Sequence, residues 1–190
     1  MIASELDLGK PFIFEMPGIL TTDECSRWID RIRSEGTEPA PINTRHGSTF
    51  DSQIRNNRRV IFDQPDWAGL LFDRVEKRAP HEIHGMLLEG VNEKFRCYEY
   101  QAGQRFAPHS DGAFVRSDDE RSWYTFMVYL NDGFEGGETV FFVEPEVIIR
   151  PRAGTGLLFQ HPIIHEGSEV KAGVKYVLRT DLMYRGSATK

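Results

Sequence analysis

The spacing of apolar side chains divides the chain into two parts, and the first part reads as helical. In residues 21–36, apolar side chains recur every three or four positions, which predicts an amphipathic helix. The members of this face are Cys25, Trp28, Ile29 and Ile32. Thr21 and Glu24 match a capping box at the start, and Gly36 supplies the stop.

A second helix is predicted to begin near Pro65, because the fixed backbone angle of proline suits a first helical turn. It should end before Pro80. Its apolar face is Trp67, Leu70, Leu71 and Val75. Between the helices, residues 36–57 are polar and irregular, which predicts a substrate loop leading into a short strand at 59–62. The basic residues of this region are Arg45, His46, Arg55 and Arg58.

From Phe95 onward, short runs rich in aromatic and β-branched residues alternate with Gly, Pro, Asn and Asp, which predicts strands. Eight are expected, at 95–100, 105–109, 124–130, 138–143, 147–150, 156–160, 163–168 and 174–184. Short strands preceded by helices favour a mainly β, α+β fold over βαβ units. We expect one domain over residues 1–190, in which a helical part (1–94) covers a jelly-roll, or double-stranded β-helix, core (95–185).

Composition narrows the class of protein. The 190 residues are 39% hydrophobic and carry a net charge of -6, which disfavours a nucleic-acid partner because the long-range field has the wrong sign. No run approaches the ~18 apolar residues of a membrane span, and residues 1–10 lack a secretory pattern, so we expect a cytoplasmic protein with no membrane partner. Cys25 and Cys97 are expected to be buried, reduced thiols.

Two residues at the end of a predicted strand suggest metal chemistry. His109 and Asp111 stand two positions apart, a pair that means little unless a later strand adds a histidine. His161 and His165 are both candidates, and spacing alone does not choose between them. Two histidines and one carboxylate would form a facial triad that leaves positions open on Fe(II).

The last predicted strand carries a second indication. Its apolar residues alternate with a face that bears Lys175 and Arg179. A cation on the inner face of a barrel is costly unless it meets an anion, so this face suggests a ligand with a carboxylate. The alternative is that the face is solvated, or that Arg179 pairs with Asp181 or a neighbouring strand.

Three sequence blocks resemble the Fe(II)/2-oxoglutarate oxygenase domain of the prolyl 4-hydroxylase-like family. They are FRCYEYQAGQRFAPHSD (95–111), YTFMVYLNDGFEGGETVFF (124–142) and GTGLLFQHPIIHEGSEVKAGVKY (154–176). The resemblance implies that His109, Asp111 and His165 bind Fe(II), and that Lys175, ten residues after His165, binds 2-oxoglutarate. It further implies a set of residues that bind or line the cosubstrate pocket: Tyr100, Tyr129, Thr139 and Arg179. Ascorbate, as a reductant, is implied in the same way.

The substrate stays open at this stage. The resemblance implies hydroxylation of a prolyl residue in a peptide or protein, but Glu169 and Val170 stand where the family often has a Pro-Val pair. The alternatives are the same chemistry on a free amino acid or small metabolite, and a non-catalytic metal-binding jelly roll. The polar loop 112–123 is predicted to be a lid, and its Arg116 and Arg121, with Arg55 and Arg58 of the earlier loop, could face an acidic or peptide substrate. The alternative is that these charged loops are simply solvated.

Overall fold

The computed structural model describes residues 10–44 and 47–186 of the chain. Two α-helices lie in the first half, α1 at Thr22–Glu35 and α2 at Pro65–Val75, and α2 runs into a short 3-10 turn at Glu76–Arg78. The capping box predicted for α1 is present: the Glu24 amide donates to the Thr21 hydroxyl, and the Glu24 carboxylate accepts from the Thr21 amide. No helix in the described ranges is long and apolar enough to cross a membrane.

Seventeen strands are found within the described residues. In chain order β1 to β17 they are Ile13–Met16, Glu38–Pro39, Ile42–Thr44, Gly47–Thr49, Arg58–Asp63, Glu82–Ile83, Met86–Val91, Lys94–Gln101, Phe106–His109, Glu120–Tyr129, Glu135–Gly136, Thr139–Phe141, Val147–Ile149, Gly156–Gln160, His165–Gly167, Val170–Ala172 and Val174–Gly186.

Most of these strands build two antiparallel sheets that face each other, and β11 with β16 and β3 with β4 form two further two-stranded sheets. The larger facing sheet has the order β1-β14-β10-β17-β8-β5-β2, and β7 also pairs with β17. The smaller facing sheet has the order β13-β12-β15-β9. The predicted class, a mainly β jelly roll with N-terminal helices, is therefore confirmed.

Alternation along β17 separates the two layers of the core. Tyr176 and Leu178 pack with Trp28 of α1 and Leu71 of α2, so the helices cover the outer face of the large sheet. Val177, on the opposite face, packs in the cluster between the two sheets. Because side chains of a strand alternate, Lys175 and Arg179 face the same interior as Val177.

The N-terminal part is less helical than predicted. β5 matches the strand predicted at 59–62, whereas β1 and β7, which were not predicted, also join the large sheet, with β1 forming its outer edge against β14. Both β1 and β7 are short, and β7 buries only part of its side chains. Neither of these two strands therefore gives a strong periodic signal in the sequence. The loop predicted at 36–57 also contains the short strands β2, β3 and β4. Arg45 and His46 lie outside the described residues.

Both thiols match the prediction: Cys25 and Cys97 are buried and unpaired.

Candidate metal centre

Three side chains from two strands of the small sheet meet at one point. His109 ends β9, Asp111 follows two residues later, and His165 begins β15, directly opposite His109 in the antiparallel register. One ligand atom from each lies within 4.8 Å of the other two. Nε2 of His109 is 3.9 Å from one Asp111 oxygen, and Nε2 of His165 is 3.8 Å from the other.

Both histidines are held with the same ring nitrogen towards this point. Nδ1 of His109 lies 2.9 Å from the Ala107 carbonyl, and Nδ1 of His165 lies 2.9 Å from the Ile163 carbonyl. A carbonyl only accepts, so each Nδ1 carries the proton and each Nε2 keeps a free lone pair. Burial lowers the pKa of His109 to about 3 and also lowers that of His165, so both rings are neutral at pH 7.

Asp111 is kept ionised. Burial alone would raise its pKa, but the Arg179 guanidinium, whose Nη2 is 3.2 Å from Oδ1, and the hydroxyl of Thr125 hold the pKa well below its usual range. The donor set is two neutral imidazoles and one carboxylate, and among the described residues no further carboxylate, cysteine or histidine joins this group as a fourth ligand. Such a set is typical of an open metal site rather than of a closed structural zinc site.

A chain of hydrogen bonds runs from Asp111 away from the triad. Thr125 Oγ1 donates to Asp111 Oδ2 at 2.6 Å, so it must accept from Nδ1 of His161 at 2.9 Å. Nε2 of His161 then accepts from the Ser122 hydroxyl at 2.8 Å, and Ser122 in turn accepts from the Phe114 amide. The charge of one carboxylate thus fixes every donor in the chain.

This chain also separates the two candidate histidines. β14 ends at Gln160, and a turn over residues 161–164 intervenes before β15, so His161 and His165 do not share one extended strand. His161 is buried against Ser122 and Thr125 of β10, and its carbonyl accepts from the Asp111 amide at 2.9 Å. The structure brings His165 to the triad and places His161 behind Asp111.

Lys175 lies in the same cavity as the triad. The cavity has a volume of about 610 Å³ and is lined by residues of both sheets. The side chain is 2% exposed, its Nζ donates to the Gly137 carbonyl at 2.7 Å, and it lies 5.2 and 5.5 Å from the ring centroids of Tyr100 and Tyr129. Burial lowers its pKa to about 7. Within residues 10–44 and 47–186, no carboxylate lies within 4 Å of this ammonium, so it has no direct ion-pair partner, although the charge of the more distant Glu138 acts on it.

The remaining residues predicted for the pocket are placed in different ways. Tyr100 and Thr139 line the cavity, and the Tyr129 hydroxyl lies 2.7 Å from the Thr139 hydroxyl, one layer behind. Arg179 also lines the cavity, but its Nη2 is engaged by Asp111 at 3.2 Å and Asp181 at 3.4 Å. Arg179 therefore contacts the triad through the Asp111 carboxylate.

The predicted lid is shorter than expected, since β10 begins at Glu120. Gly112, Ala113 and Phe114 line the cavity, whereas Arg116 pairs with Glu120 and Glu93. Arg121 is directed to the Trp123 ring, 4.6 Å away, and is likewise absent from the described cavity wall. Neither arginine lines the described cavity, and the Nε of Arg121 is buried without a hydrogen-bond partner among the described residues. The expectation that they face the substrate therefore stays a prediction without support from the cavity wall.

Sequence reasoning missed several lining residues. Arg59, Arg96, Tyr98 and Phe106 reach the cavity, whereas Arg58, predicted to accompany the loop, donates to Thr37 instead. The alternation of Arg96, Tyr98 and Tyr100 along one strand was the available signal.

Comparison with known proteins places this geometry in context. A model described as the 2OG-Fe(II) oxygenase superfamily matches residues 94–180. The chain is similar to "Probable prolyl 4-hydroxylase 11" of Arabidopsis thaliana, 40% identical over 148 residues, which cover 73% of this chain and 49% of the relative. "Probable prolyl 4-hydroxylase 8" of the same plant is 27% identical over 142 residues, covering 70% and 45%. The chain spans about half the length of these curated relatives.

Solved structures share the fold at low identity. A Pseudomonas putida prolyl-4-hydroxylase superposes with a TM-score of 0.68 at 20% identity, covering 96% of each chain. A Trichoplax adhaerens prolyl hydroxylase, solved with a peptide fragment of the hypoxia inducible factor oxygen degradation domain, superposes with a TM-score of 0.70 at 16% identity, covering 90% of this chain and 82% of that one.

Proposed function

The chain belongs to the 2OG-Fe(II) oxygenase superfamily, and on that premise we propose that it is a dioxygenase dependent on Fe(II) and 2-oxoglutarate. It hydroxylates an unactivated C–H bond, of a prolyl residue in a peptide or protein, and releases succinate and CO₂. The observation that carries this proposal is the placement of the triad His109, Asp111 and His165 in one cavity with the buried cation Lys175.

The residues present fit the iron. The three donor atoms converge from one side of the cavity, their rings are neutral, and the carboxylate is ionised, so no proton has to be displaced before a divalent cation binds. Phe106, stacked on His109 with centroids 3.5 Å apart, and Phe159, 4.6 Å from the His165 ring, restrict how either imidazole can rotate.

The residues also fit the cosubstrate. Lys175, a buried ammonium without a direct ion-pair partner among the described residues and in the same cavity as the triad, would hold the second carboxylate of a dicarboxylate whose keto-acid end is bound at the metal. Lys175 is held for this by the Gly137 carbonyl and by the rings of Tyr100 and Tyr129. Because burial lowers the pKa of this lysine to about 7, arrival of the carboxylate should draw a proton onto Nζ.

An Fe(II) ion held by His109, Asp111 and His165 would, with 2-oxoglutarate and O₂, supply the oxidative decarboxylation chemistry that provides one oxygen atom for the substrate and one for succinate. The chain itself performs binding and positioning. His109 and His165 present fixed lone pairs, Thr125 and Arg179 orient the Asp111 carboxylate, and the aromatic walls exclude water. Ascorbate, as a reductant that restores Fe(II), enters the proposal from the family resemblance.

The prolyl substrate is supported by the names of the relatives, which are prolyl 4-hydroxylases. A free amino acid or small metabolite is the second candidate, and the arginines in the cavity wall favour it because they would meet a carboxylate. A non-catalytic metal-binding module is disfavoured, since neither an open donor set nor a buried unpaired lysine is needed to hold a structural metal.

The experiment that tests the proposal is turnover of a defined library. The protein is incubated with Fe(II), 2-oxoglutarate, ascorbate and proline-containing peptides or free amino acids, and mass spectrometry searches for the gain of one oxygen. We expect an equal molar amount of succinate and of hydroxylated product with the true substrate, and neither with Asp111→Ala. Oxygen gain on free amino acids alone would overturn the peptide assignment, and product formed by Asp111→Ala would overturn the site.

A further inference from the structure

The cavity wall contains a second group of cations, separate from Lys175. Arg59 on β5 and Arg96 on β8 both line the cavity, and Arg55 lines it from the segment just before β5. Arg59 lies opposite Tyr98, and Arg96 lies opposite both Ile61 and Arg179 in the register of the large sheet. Three arginines therefore line the same cavity near Arg96 and Tyr98 of β8.

Arg55 is buried and rigid, yet one of its donors is unused. Its side chain is 8% exposed, and the guanidinium lies 4.7 Å from the Tyr98 ring centroid and 4.2 Å from that of Phe106. Nε donates to Asn57 at 2.7 Å and Nη1 donates to the Pro41 carbonyl at 3.3 Å, but Nη2 is buried without a hydrogen-bond partner among the described residues. A buried, unpaired donor on a charged group costs free energy that a bound anion would recover.

Arg59 and Arg96 leave further donors for an anion. The Nε of Arg59 lies 3.8 Å from the carboxylate of the exposed Glu38 and has no hydrogen-bond partner among the described residues. Arg96 pairs with Asp181 at 3.0 Å, but Asp181 is shared with Arg179. Asp111 is engaged by Arg179 and the triad, and Glu166, the other carboxylate in the described cavity wall, accepts from the Ser168 hydroxyl at 2.9 Å. Among the described residues, neither carboxylate forms an ion pair with Arg55.

Tyr98 lies at the centre of this group. Burial would raise the pKa of its hydroxyl, but the surrounding Arg55, Arg179 and Arg96 lower it below the usual range of tyrosine. The positive potential that does this extends into the cavity, where it would act equally on a ligand.

The arginine group extends along the sheet away from Lys175, the residue proposed to bind 2-oxoglutarate. Lys175 lies opposite Tyr100, whereas Arg179 lies opposite Arg96, four residues farther along β17. At about 3.3 Å per residue this places Arg96 roughly 13 Å from the level of Lys175, whereas Arg59, opposite Tyr98, is two residues or roughly 7 Å from it. Phe106 links the group to the metal triad, since its ring touches Arg55 on one side and His109 on the other.

We propose that Arg55, Arg59 and Arg96 form a subsite that binds a carboxylate of the substrate to be hydroxylated. The forked guanidinium matches a carboxylate, and its place beside the triad would fix the distance between that carboxylate and the C–H bond attacked. The carboxylate belongs either to a free amino acid or to an acidic side chain next to the target residue of a peptide. The inference rests on the proposed function for the identity of the cavity as a substrate site.

The test compares the affinity of the protein for ligands that carry a carboxylate with its affinity for the matching amides. L-proline is paired with L-prolinamide, and a short proline peptide with a neighbouring glutamate is paired with its glutamine analogue. Dissociation constants are measured by calorimetry on the full chain, loaded with Mn(II) and 2-oxoglutarate without O₂, so that no turnover is required. In the wild type, one carboxylate should bind about 10- to 150-fold more tightly than its amide, the value of a charged hydrogen bond.

The variants are chosen so that folding and cosubstrate effects can be recognised. Arg59→Gln and Arg55→Met should reduce the carboxylate-to-amide ratio to near one, and Arg59→Lys should restore part of it. Arg58→Gln is the matched control: it is adjacent on β5, bonds Thr37 and does not line the cavity, so the ratio should be unchanged. The affinity for 2-oxoglutarate should stay within about twofold in all of them, because the subsite lies away from Lys175.

The outcomes distinguish this inference from the proposed function. If neither carboxylate binds more tightly than its amide in the wild type, the subsite is wrong even when succinate is formed. If Arg55→Met or Arg59→Gln instead weakens 2-oxoglutarate, these arginines serve the cosubstrate and the subsite is also wrong. Preference for L-proline identifies a free amino acid, and preference for the glutamate peptide identifies an acidic sequence; both support it. Loss of 2-oxoglutarate binding in the wild type would overturn the proposed function alone.

Discussion

Replacing Thr125 by valine should weaken metal binding while leaving the fold in place. Valine has nearly the shape of threonine, but it can neither donate to Asp111 at 2.6 Å nor accept from His161 at 2.9 Å. The Asp111 carboxylate then loses the hydroxyl that orients it and keeps the Arg179 guanidinium at 3.2 Å, and the Nδ1–H of His161 is left buried without an acceptor.

The magnitude follows from these two losses. Removing a partner that orients a metal ligand typically costs about 10- to 100-fold in metal affinity, or about 1.4–2.8 kcal/mol. The buried donor left unpaired on His161 should lower the free energy of unfolding by about 1–3 kcal/mol. Thr180→Val is the matched control: Thr180 is 1% exposed, and its hydroxyl donates to the Asn92 carbonyl at 2.5 Å, away from the triad. It should lose stability to a similar extent and retain metal affinity.

In the assay, metal-free protein is titrated anaerobically with Fe(II) or Mn(II), and calorimetry measures the dissociation constant. The free energy of unfolding of each variant is measured in parallel in urea. The reasoning is refuted if Thr125→Val binds metal as tightly as Thr180→Val does. It is equally refuted if both variants lose metal affinity together, because the effect would then come from general destabilisation.

The remaining predictions concern the other buried groups of the site. His165→Ala should abolish metal retention in equilibrium dialysis, whereas His161→Ala should weaken it without abolishing it; the reverse order would exchange their roles. The dissociation constant of 2-oxoglutarate should rise about tenfold per pH unit above pH 7, because Lys175, with its pKa lowered to about 7, must be protonated to bind a carboxylate. In calorimetry Lys175→Met should show weaker binding with no such slope, and a flat wild-type profile would contradict the lowered pKa. Cys97, whose thiol pKa is raised by burial, should resist alkylation in the native protein at mildly alkaline pH and react once urea unfolds the chain, as followed by mass spectrometry.

Local sequence signals predicted the parts of the fold that local forces determine. The capping box of Thr21 and Glu24 fixed the start of α1, and the strict alternation from Val174 to Tyr184 identified both the buried strand and its interior face. The edge strands β1 and β7 were missed because they are short and are stabilised by pairing with β14 and β17, which lie far away in the sequence.

In the candidate site, too, local spacing predicted some residues, whereas contacts between distant parts of the sequence determined the others. The pair His109 and Asp111 could be singled out from their spacing, but residues alone could not choose between His161 and His165. That difference arises from a turn after β14 and from hydrogen bonds to β10, 36 and 39 residues earlier in the chain. The sequence singles out Arg55 as part of a substrate loop, but Arg59 and Arg96 were missed, because they reach the same cavity wall only when β5 pairs with β8.

One measurement tests the central claim, that the triad and Lys175 form a working iron and 2-oxoglutarate site. Anaerobic protein is mixed with Fe(II) and 2-oxoglutarate, the visible charge-transfer band of the chelate is recorded, and succinate is quantified after air is admitted. We predict the band and succinate for the wild type, neither for His165→Ala, and for Lys175→Met a band that appears only at higher 2-oxoglutarate concentrations. A wild-type protein that shows no band and forms no succinate would contradict the account.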